Sequence, residues 1–547
     1  MDVGLWYAVV FASLLAGAVV VCFLIFTTSR IATTFALKKH VTYANLPVVL
    51  QGSDRAAWID YAVLFLFLLA NVLVLAIRNG GAAGFVRRSA SLALANLVPL
   101  FLGGRINSVA DVFGLRLRTF RRLHRWLGRV AVVEGLVHAI AAVALRKPDV
   151  RQRADVAGIV AATALFSIAA SGVLRQRLHE VFLVLHFVLY VAIIAAVFVH
   201  SQIRAVSAYP AICLLVAICL YAATSALRVG LVLYRSVPYK EQTPNRASVR
   251  TVVFKTRNGA DIVLSDVVHV HVELARPWRL QAGQFAYLCI PGVSPLALVQ
   301  SHPFYVAWWY REGGKDYAIF IVQRERGFTR RLASRRDDTK TMLAAVEGPY
   351  GKQLHLANYG TVLLMATGIG IAGQLPYVSQ LLEEFHKYEV RKIALYWQVN
   401  SDIQTALVAD QMQELLNKDT SQVCPLSFPS TTSWTPTLIV GQILNIHVYV
   451  LDASNICLLD STNDQERAAS GHVVRLGERM DVTYKAIRAA DILTFELGRR
   501  NGRMAVSLVC VDSETRADVY RVLGKVDEDV SVKELDFSPQ GKRSGWM

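Results

Sequence analysis

No CxxC pair occurs among the seven cysteines of this 547-residue chain, so neither a zinc ribbon nor a dithiol redox centre is spelled out. Cys22, Cys213 and Cys219 fall in apolar runs, and Cys289, Cys424, Cys457 and Cys510 are scattered, which excludes a disulfide framework. Charge is scarce too: 18 % of the residues are charged, against a hydrophobic share of 54 %. A chain of this length exceeds one core, and this composition calls for membrane spans beside further domains. Acidic residues are rarest in the first part, where residues 1–235 hold 8 Asp and Glu against 23 Lys and Arg; the remainder holds 33 against 35. The net charge of +17 therefore belongs to the apolar part. Loops beside anionic lipid account for that distribution, and no basic stripe on a polar domain is left to suggest a nucleic-acid partner. A basic n-region is missing before LWYAVVFASLLAGAVVVCFLIF at the N-terminus, so this run reads as a retained span rather than a secretory signal.

Seven segments reach or approach the length that crosses a bilayer: 5–27, 59–77, 89–104, 123–145, 156–174, 180–203 and 209–234. The loops after the first, third and fifth are the richer in Arg and Lys, which assigns them, and the C-terminal half, to the cytosol. Beyond Tyr234 the texture changes. SVPYKEQTPNRASVR, residues 236–250, is a polar linker. Six β-rich runs follow (TVVFKTRN, IVLSDVVHVHVELA, QFAYLCIPG, PFYVAWWYR, YAIFIVQRE and KTMLAAVEG), and their spacing predicts a small antiparallel barrel over 251–355. From 356 to 547, strands such as TVLLMA, KIALYWQV, HVYVLD and MAVSLVCV alternate with helical patterns, which predicts a mostly parallel α/β sheet.

Histidines carry the chemistry of the apolar part. HRWLGRVAVVEGLVH places His124 and His138 fourteen residues apart, and HFVLYVAIIAAVFVH repeats the interval with His186 and His200. Fourteen residues are nearly four helical turns, so both rings of each helix share one face. One span separates the two helices, which makes them run in the same direction and puts His124 level with His186 and His138 level with His200. Two imidazoles at each of two depths offer the axial ligands of two low-spin haems. Zinc or copper would want further ligands at the same depth. A proton relay stays open as an alternative, because Glu134 lies one turn before His138. Gly128 and Gly135 offer room for a flat macrocycle or for ordinary helix packing, and Arg125 and Arg129 offer cations for propionates or inside anchors.

The clearest nucleotide signal is TVLLMATGIGIAGQLPYVSQLL, in which Gly368, Gly370 and Gly373 follow a strand and open a helix. Glycines at that point let backbone N–H groups approach a pyrophosphate.

The ordered motifs resemble the ferric reductase and NADPH oxidase superfamily of membrane flavocytochromes, most like fungal ferric-chelate reductases. The resemblance rests on the paired histidine helices, QAGQFAYLCIP at 281–291, SHPFYV at 301–306, EGPYG at 347–351 and ATGIGIAG at 366–373. It implies a polytopic helical domain over 1–235 that binds two b-type haems through His124, His138, His186 and His200. A ferredoxin-NADP reductase-like module would follow, made of the antiparallel barrel for FAD and the α/β domain for the nicotinamide dinucleotide. By the same resemblance His302, Pro303, Phe304, Val306, Gly327, Thr329, Gly348 and Gly351 attend FAD, and Thr367, Gly368, Gly370 and Gly373 attend NADPH. A flavin is needed between the two because a hydride carries two electrons and a haem takes one.

Departures from the family pattern are Tyr305 and Trp308, where small hydroxyl residues are usual, and CVDS in place of Cys-Gly-Pro, which leaves Cys510 as the candidate beside the nicotinamide. An arginine useful for a 2′-phosphate reads Asn400, so NADPH is expected with NADH as the alternative. The expected activity is reduction of extracellular Fe(III) or Cu(II) chelates at a plasma membrane, drawn to a cationic outer loop, RKPDVRQR at 146–153. Two alternatives are carried: an oxidase that makes superoxide from dioxygen, and a histidine-lined proton or metal transporter with a regulatory nucleotide domain. The sequence names no partner oxidase or permease.

Overall fold

The computed structural model describes residues 58–535 apart from 77–80, 103–116, 177, 204–207, 239–242, 256–260, 294–301, 336, 352, 385–387, 421–423, 427–436, 440–441, 453–464, 466–472, 477–478, 510–512 and 524–529. The first expected span, 5–27, and Cys510 lie outside the described residues. The chain divides into two compact units between Arg228 and Val229.

The first unit is helical: α1 (Trp58–Ala76), α2 (Gly81–Leu97) with a 3-10 turn at Val98–Leu102, α3 (Leu117–Leu145), α4 (Arg153–Ser171), α5 (His179–His200) and α6 (Tyr209–Ser236), the last running past the division. Among the described residues, five stretches are long and apolar enough to cross a membrane: Gly81–Leu102, Phe120–Leu145, Arg153–Ser171, Glu180–His200 and Tyr209–Ser236, beside the shorter apolar Leu64–Ala76. Large apolar side chains such as Phe65, Phe166, Phe187 and Phe198 face outward, as a bilayer solvent requires. Inward faces are small: α4 buries Ala157, Ala161 and Ala164, the spacing that lets helices approach without a hydrophobic drive between them. The third expected span was placed at 89–104; its helix begins at Gly81 and carries Arg87 and Arg88 inside it. A hydropathy window stops at such charges, whereas long arginine stems stay helical and carry the charge outward.

The second unit opens with an antiparallel β region. Its strands are β1 (Arg246–Lys255), β2 (Asp261–Leu274), β3 (Phe285–Cys289), β4 (His302–Tyr305), β5 (Trp308–Glu312), β6 (Lys315–Gln323), β7 (Asp337–Leu343) and β8 (Ala345–Tyr350), with α7 (Phe328–Ala333) before β7. They form a five-stranded sheet ordered β5-β6-β2-β1-β7 and a three-stranded sheet ordered β4-β3-β8. Val249, Val268, Val270, Val272, Leu288 and Phe320 fill the space between the sheets. Strand β1 starts at Arg246, inside the expected linker, because its alternation Ala247, Val249 points into this core while Arg246 and Arg250 stay out. Two expected runs each break into two strands: PFYVAWWYR becomes β4 and β5 in different sheets, and KTMLAAVEG becomes β7 and β8.

The α/β part contains β9 (Thr361–Thr367), α8 (Ile371–Glu383), β10 (Lys392–Val399), α9 (Ala409–Thr420), a short β11 (Cys424–Leu426) and β12 (Thr437–Ile439) hairpin, β13 (Leu444–Val450), β14 (Val474–Leu476), β15 (Met480–Thr483), α10 (Ala489–Leu497), β16 (Met504–Val509), α11 (Ser513–Leu523) and β17 (Val530–Glu534). The seven-stranded sheet runs β14-β15-β13-β10-β9-β16-β17 and is parallel except at its β14 edge. Every residue of β9 and β16 is buried, the continuous apolar pattern of strands covered on both faces.

Candidate functional site

The helical unit brings its four histidines together in two pairs. His124 on α3 faces His186 on α5 with ring centroids 6.4 Å apart, and His138 faces His200 at 6.2 Å. With metal–nitrogen bonds of ~2 Å and each centroid ~1.2 Å behind its nitrogen, imidazoles on opposite sides of one metal atom have centroids ~6.4 Å apart. The spacing of each pair would admit one metal atom held between its two rings. Their outer nitrogens differ in support. His138 Nδ1 lies 2.9 Å from the Val86 carbonyl and His200 Nδ1 lies 2.8 Å from the Ala154 carbonyl. A carbonyl there requires Nδ1–H, which leaves Nε2 with its lone pair for a metal. The buried Nδ1 atoms of His124 and His186 have no hydrogen-bond partner among the described residues. No group of three or more His, Cys, Asp or Glu side chains able to hold a bare metal ion occurs among the described residues. The donor chemistry thus fits a macrocycle that brings its own equatorial nitrogens.

Glycines around the pairs do different jobs. A Cβ on Gly135 would stand 2.7 Å from Leu165 Cδ1, so this residue serves the packing of α3 on α4, whereas one on Gly128 would meet only Leu100, at 3.8 Å. Sequence reasoning missed Gly158: a Cβ there would lie 2.7 Å from His200 Nδ1 and 2.9 Å from its Cε1. Arg129 lies over the Trp126 ring at 4.8 Å. Glu134 is buried and accepts a hydrogen bond from Asn96 Nδ2 at 2.7 Å.

In the barrel, His302, Pro303 and Phe304 are half-exposed on β4, a strand paired with β3 at the end of its sheet. His302 stacks on Phe328, centroids 4.5 Å apart and planes 13° from parallel, so the HPF and GFT motifs meet. Gly327 takes φ +64° ahead of α7, and Thr329 Oγ1 accepts from the Glu325 N–H at 3.0 Å. Phe304 packs against the barrel core, while Tyr305 and Val306 are buried. Gly348 and Gly351 have φ +139° and +98°, and a Cβ on either would press on β3, with Gly283 O only 3.0 Å from that of Gly351. Half-exposed ring and imidazole groups on a sheet edge suit a flat ring ligand. The two EGPYG glycines let the end of β8 lie close against β3.

In the α/β part, Thr367 ends β9 and Gly368, at φ +50°, starts the turn into α8. Trp397 Nε1–H donates to the Gly368 carbonyl at 2.8 Å. Gly373 faces Tyr305, Val509 and Leu535: its Cβ would stand 2.9 Å from Val509 Cγ1 and 3.5 Å from Tyr305 Cδ2. This third glycine allows the helix to approach its neighbours, and the first two leave the turn bare for a ligand. The strand order adds what no motif could show. Strands β10, β13 and β15 lie on one side of β9, and β16 and β17 on the other, so the chain reverses direction across the sheet between β9 and β16. Crevices at such switch points, outside the strand C-termini, take nucleotides.

A bundle of apolar helices long enough to cross a membrane, with paired histidines, is followed in the chain by an antiparallel barrel and a doubly wound sheet. Three family models match in order: ferric reductase like transmembrane component over residues 89–197, FAD-binding domain over 253–354 and ferric reductase NAD binding domain over 359–435. In these three stretches the chain resembles the ferric reductases, and curated relatives are fungal ferric and cupric reductases. It is 28 % identical over 309 residues to ferric/cupric reductase transmembrane component 2 of Saccharomyces cerevisiae, covering 54 % of this chain and 40 % of that one. It is 26 % identical over 318 residues to ferric/cupric reductase transmembrane component 1 of Candida albicans, covering 55 % and 38 %. The chain thus spans about two fifths of the length of these relatives. Among solved structures, the flavohemoglobin of Malassezia yamatoensis has a TM-score of 0.36 at 13 % identity, over 86 % of this chain and 98 % of that one. A ferredoxin reductase of carbazole 1,9a-dioxygenase has 0.33 at 12 %, over 53 % and 70 %.

Proposed function

We propose that the chain is a transmembrane metalloreductase of the plasma membrane that moves electrons from cytosolic NADPH, by way of FAD and two b-type haems, to extracytoplasmic Fe(III) or Cu(II) chelates. The observation that carries this reading is the double histidine pair at 6.4 and 6.2 Å. Bound haem would supply one-electron transfer, which a nicotinamide alone cannot. The residues hold and orient. His124 and His186 would clamp one haem, and His138 and His200 the other, the latter two fixed in tautomer by Val86 and Ala154. His302, Pro303 and Phe304 with Gly327 and Thr329 would line the flavin, and Thr367, Gly368 and Gly370 would present backbone to the dinucleotide pyrophosphate. NADPH is favoured over NADH at the end of β10. Asn400 stands there, and Asp402 is fully buried with Tyr484 Oη–H donating to it at 3.1 Å, so it offers no carboxylate to a ribose 2′-hydroxyl.

The metal reading over the oxidase reading rests on the curated relatives' names and on the loop at 146–153. That loop is compact: Asp155 pairs with Arg146 at 2.5 Å and accepts the Asp149 N–H at 2.8 Å. Lys147, Arg151 and Arg153 remain exposed, a cationic surface for anionic chelates. Purified protein supplied with NADPH and FAD is expected to reduce ferric citrate at a rate that superoxide dismutase leaves unchanged. Loss of the signal with dismutase, together with accumulating superoxide, would establish the oxidase instead.

A further inference from the structure

Glu134 is the one acidic side chain buried inside the described helical unit, and the axial ligation described above gives it no task. Its surroundings are specific. Asn96 Nδ2 on α2 donates to Glu134 Oε2 on α3 and to Asn71 Oδ1 on α1, both at 2.7 Å, and Asn71 Nδ2 donates to the Phe67 carbonyl at 2.7 Å. Glu134 forms no ion pair among the described residues. Three helices are therefore joined by one buried amide, in surroundings where apolar faces alone choose no register.

That register matters ten residues away on α2. Val86, about 15 Å from Asn96 along the helix axis, turns its carbonyl to His138 Nδ1 at 2.9 Å, and Ser89 Oγ–H donates to the same oxygen at 3.0 Å. The two contacts between α2 and α3, Asn96 to Glu134 and Val86 to His138, run the helices antiparallel and fix both slide and rotation. A slip of a single residue, about 1.5 Å, would take the Val86 carbonyl out of hydrogen-bond geometry with the imidazole.

We propose that Glu134, bridged by Asn96 to Asn71, is a positioning residue that locks α2 against α3 so that Val86 holds the His138 ring. It acts as a hydrogen-bond acceptor, through the carbonyl and not by contact with the metal site. The inference rests on the haem reading of the histidine pairs and concerns one pair alone, because among the described residues no carbonyl meets Nδ1 of His124 or His186.

The test uses the full-length protein with haem bound, read by electron paramagnetic resonance of its low-spin ferric signals and by redox titration. His200→Leu assigns which signal belongs to the His138–His200 pair. In Asn96→Leu and Glu134→Leu that signal is expected to shift or broaden and its midpoint potential to move, while the His124–His186 signal stays in place as the internal measure of folding. Glu134→Gln keeps an acceptor oxygen for Asn96 and is expected to match the wild type. Should the leucine variants fail to fold, Asn96→Ser, too short to reach Glu134, is expected to give the same selective shift. Two unchanged signals in Asn96→Leu or Asn96→Ser would overturn the proposal, as would equal disturbance of both pairs. A Glu134→Gln protein disturbed as much as Glu134→Leu would also overturn it, by making the charge the active property. Wild-type protein without haem would remove the underlying reading itself, an outcome distinct from all of these.

Discussion

At the scale of single residues, the histidine interval could be read from the chain because helical geometry converts spacing into direction without help from tertiary contacts. His124, His138, His186 and His200 needed only periodicity and a count of intervening spans. Their supports were hidden, since Val86 and Ala154 act through backbone carbonyls, which leave no residue signature. Gly158 was hidden for a related reason: glycine in an apolar helix is ordinary, and only the His200 ring lying where its Cβ would be shows what it admits. Gly158→Ala is therefore expected to displace His200, because a Cβ at 2.7 Å from its Nδ1 leaves no room for both. The expected result is weakened or lost haem at that pair with the other retained, measured as haem per chain by the pyridine haemochrome assay. Full occupancy of both sites would show that the helix yields instead. Gly135, which the sequence left open between room for a macrocycle and ordinary helix packing, meets Leu165 and belongs to packing.

At the scale of elements, strands announced themselves by alternation and the nucleotide turn by its glycines, but partners in a sheet are set by long-range pairing. PFYVAWWYR read as one run, yet its halves join different sheets, since alternation does not reveal where a strand changes neighbours. The switch point between β9 and β16 was equally invisible. Gln374 marks it: its Nε2 donates to the Met365 carbonyl on β9 at 3.1 Å and the Ser507 carbonyl on β16 at 3.0 Å, and Ser507 Oγ–H returns a bond at 3.2 Å. Gln374→Leu strands these buried groups and is expected to cost about 2–4 kcal/mol of stability, read by chemical denaturation of the α/β part; a loss below 1 kcal/mol would contradict it. On β2, burial holds the His271 imidazole down to about 3, with Arg250 and His269 adding repulsion. Tyr310 Oη lies 3.2 Å from its Nδ1. An unfolded chain takes up that proton near pH 6.5 and the folded one only near 3, so stability is whole above 6.5 and lost as pH falls toward 3. His271→Phe is expected to flatten the melting-temperature profile over that window, and an unchanged slope would exclude His271 as its source.

At the scale of the whole molecule, the basic excess confined to residues 1–235 and the change of texture near residue 236 disclosed a membrane part followed by a more polar part of strands and helices. Charge placement follows from the solvents each part meets, which is why composition alone could reveal it. Acceptor identity is not encoded in that way, because outward electron transfer needs only an exposed edge and a favourable surface charge. If each of the two histidine pairs holds one haem, haem content follows the pairs. Purified wild-type chain is predicted to show a reduced b-type spectrum with two haems per polypeptide, falling to one in His200→Leu with the remaining spectrum low-spin. A colourless protein, or two haems retained in that variant, would contradict the account.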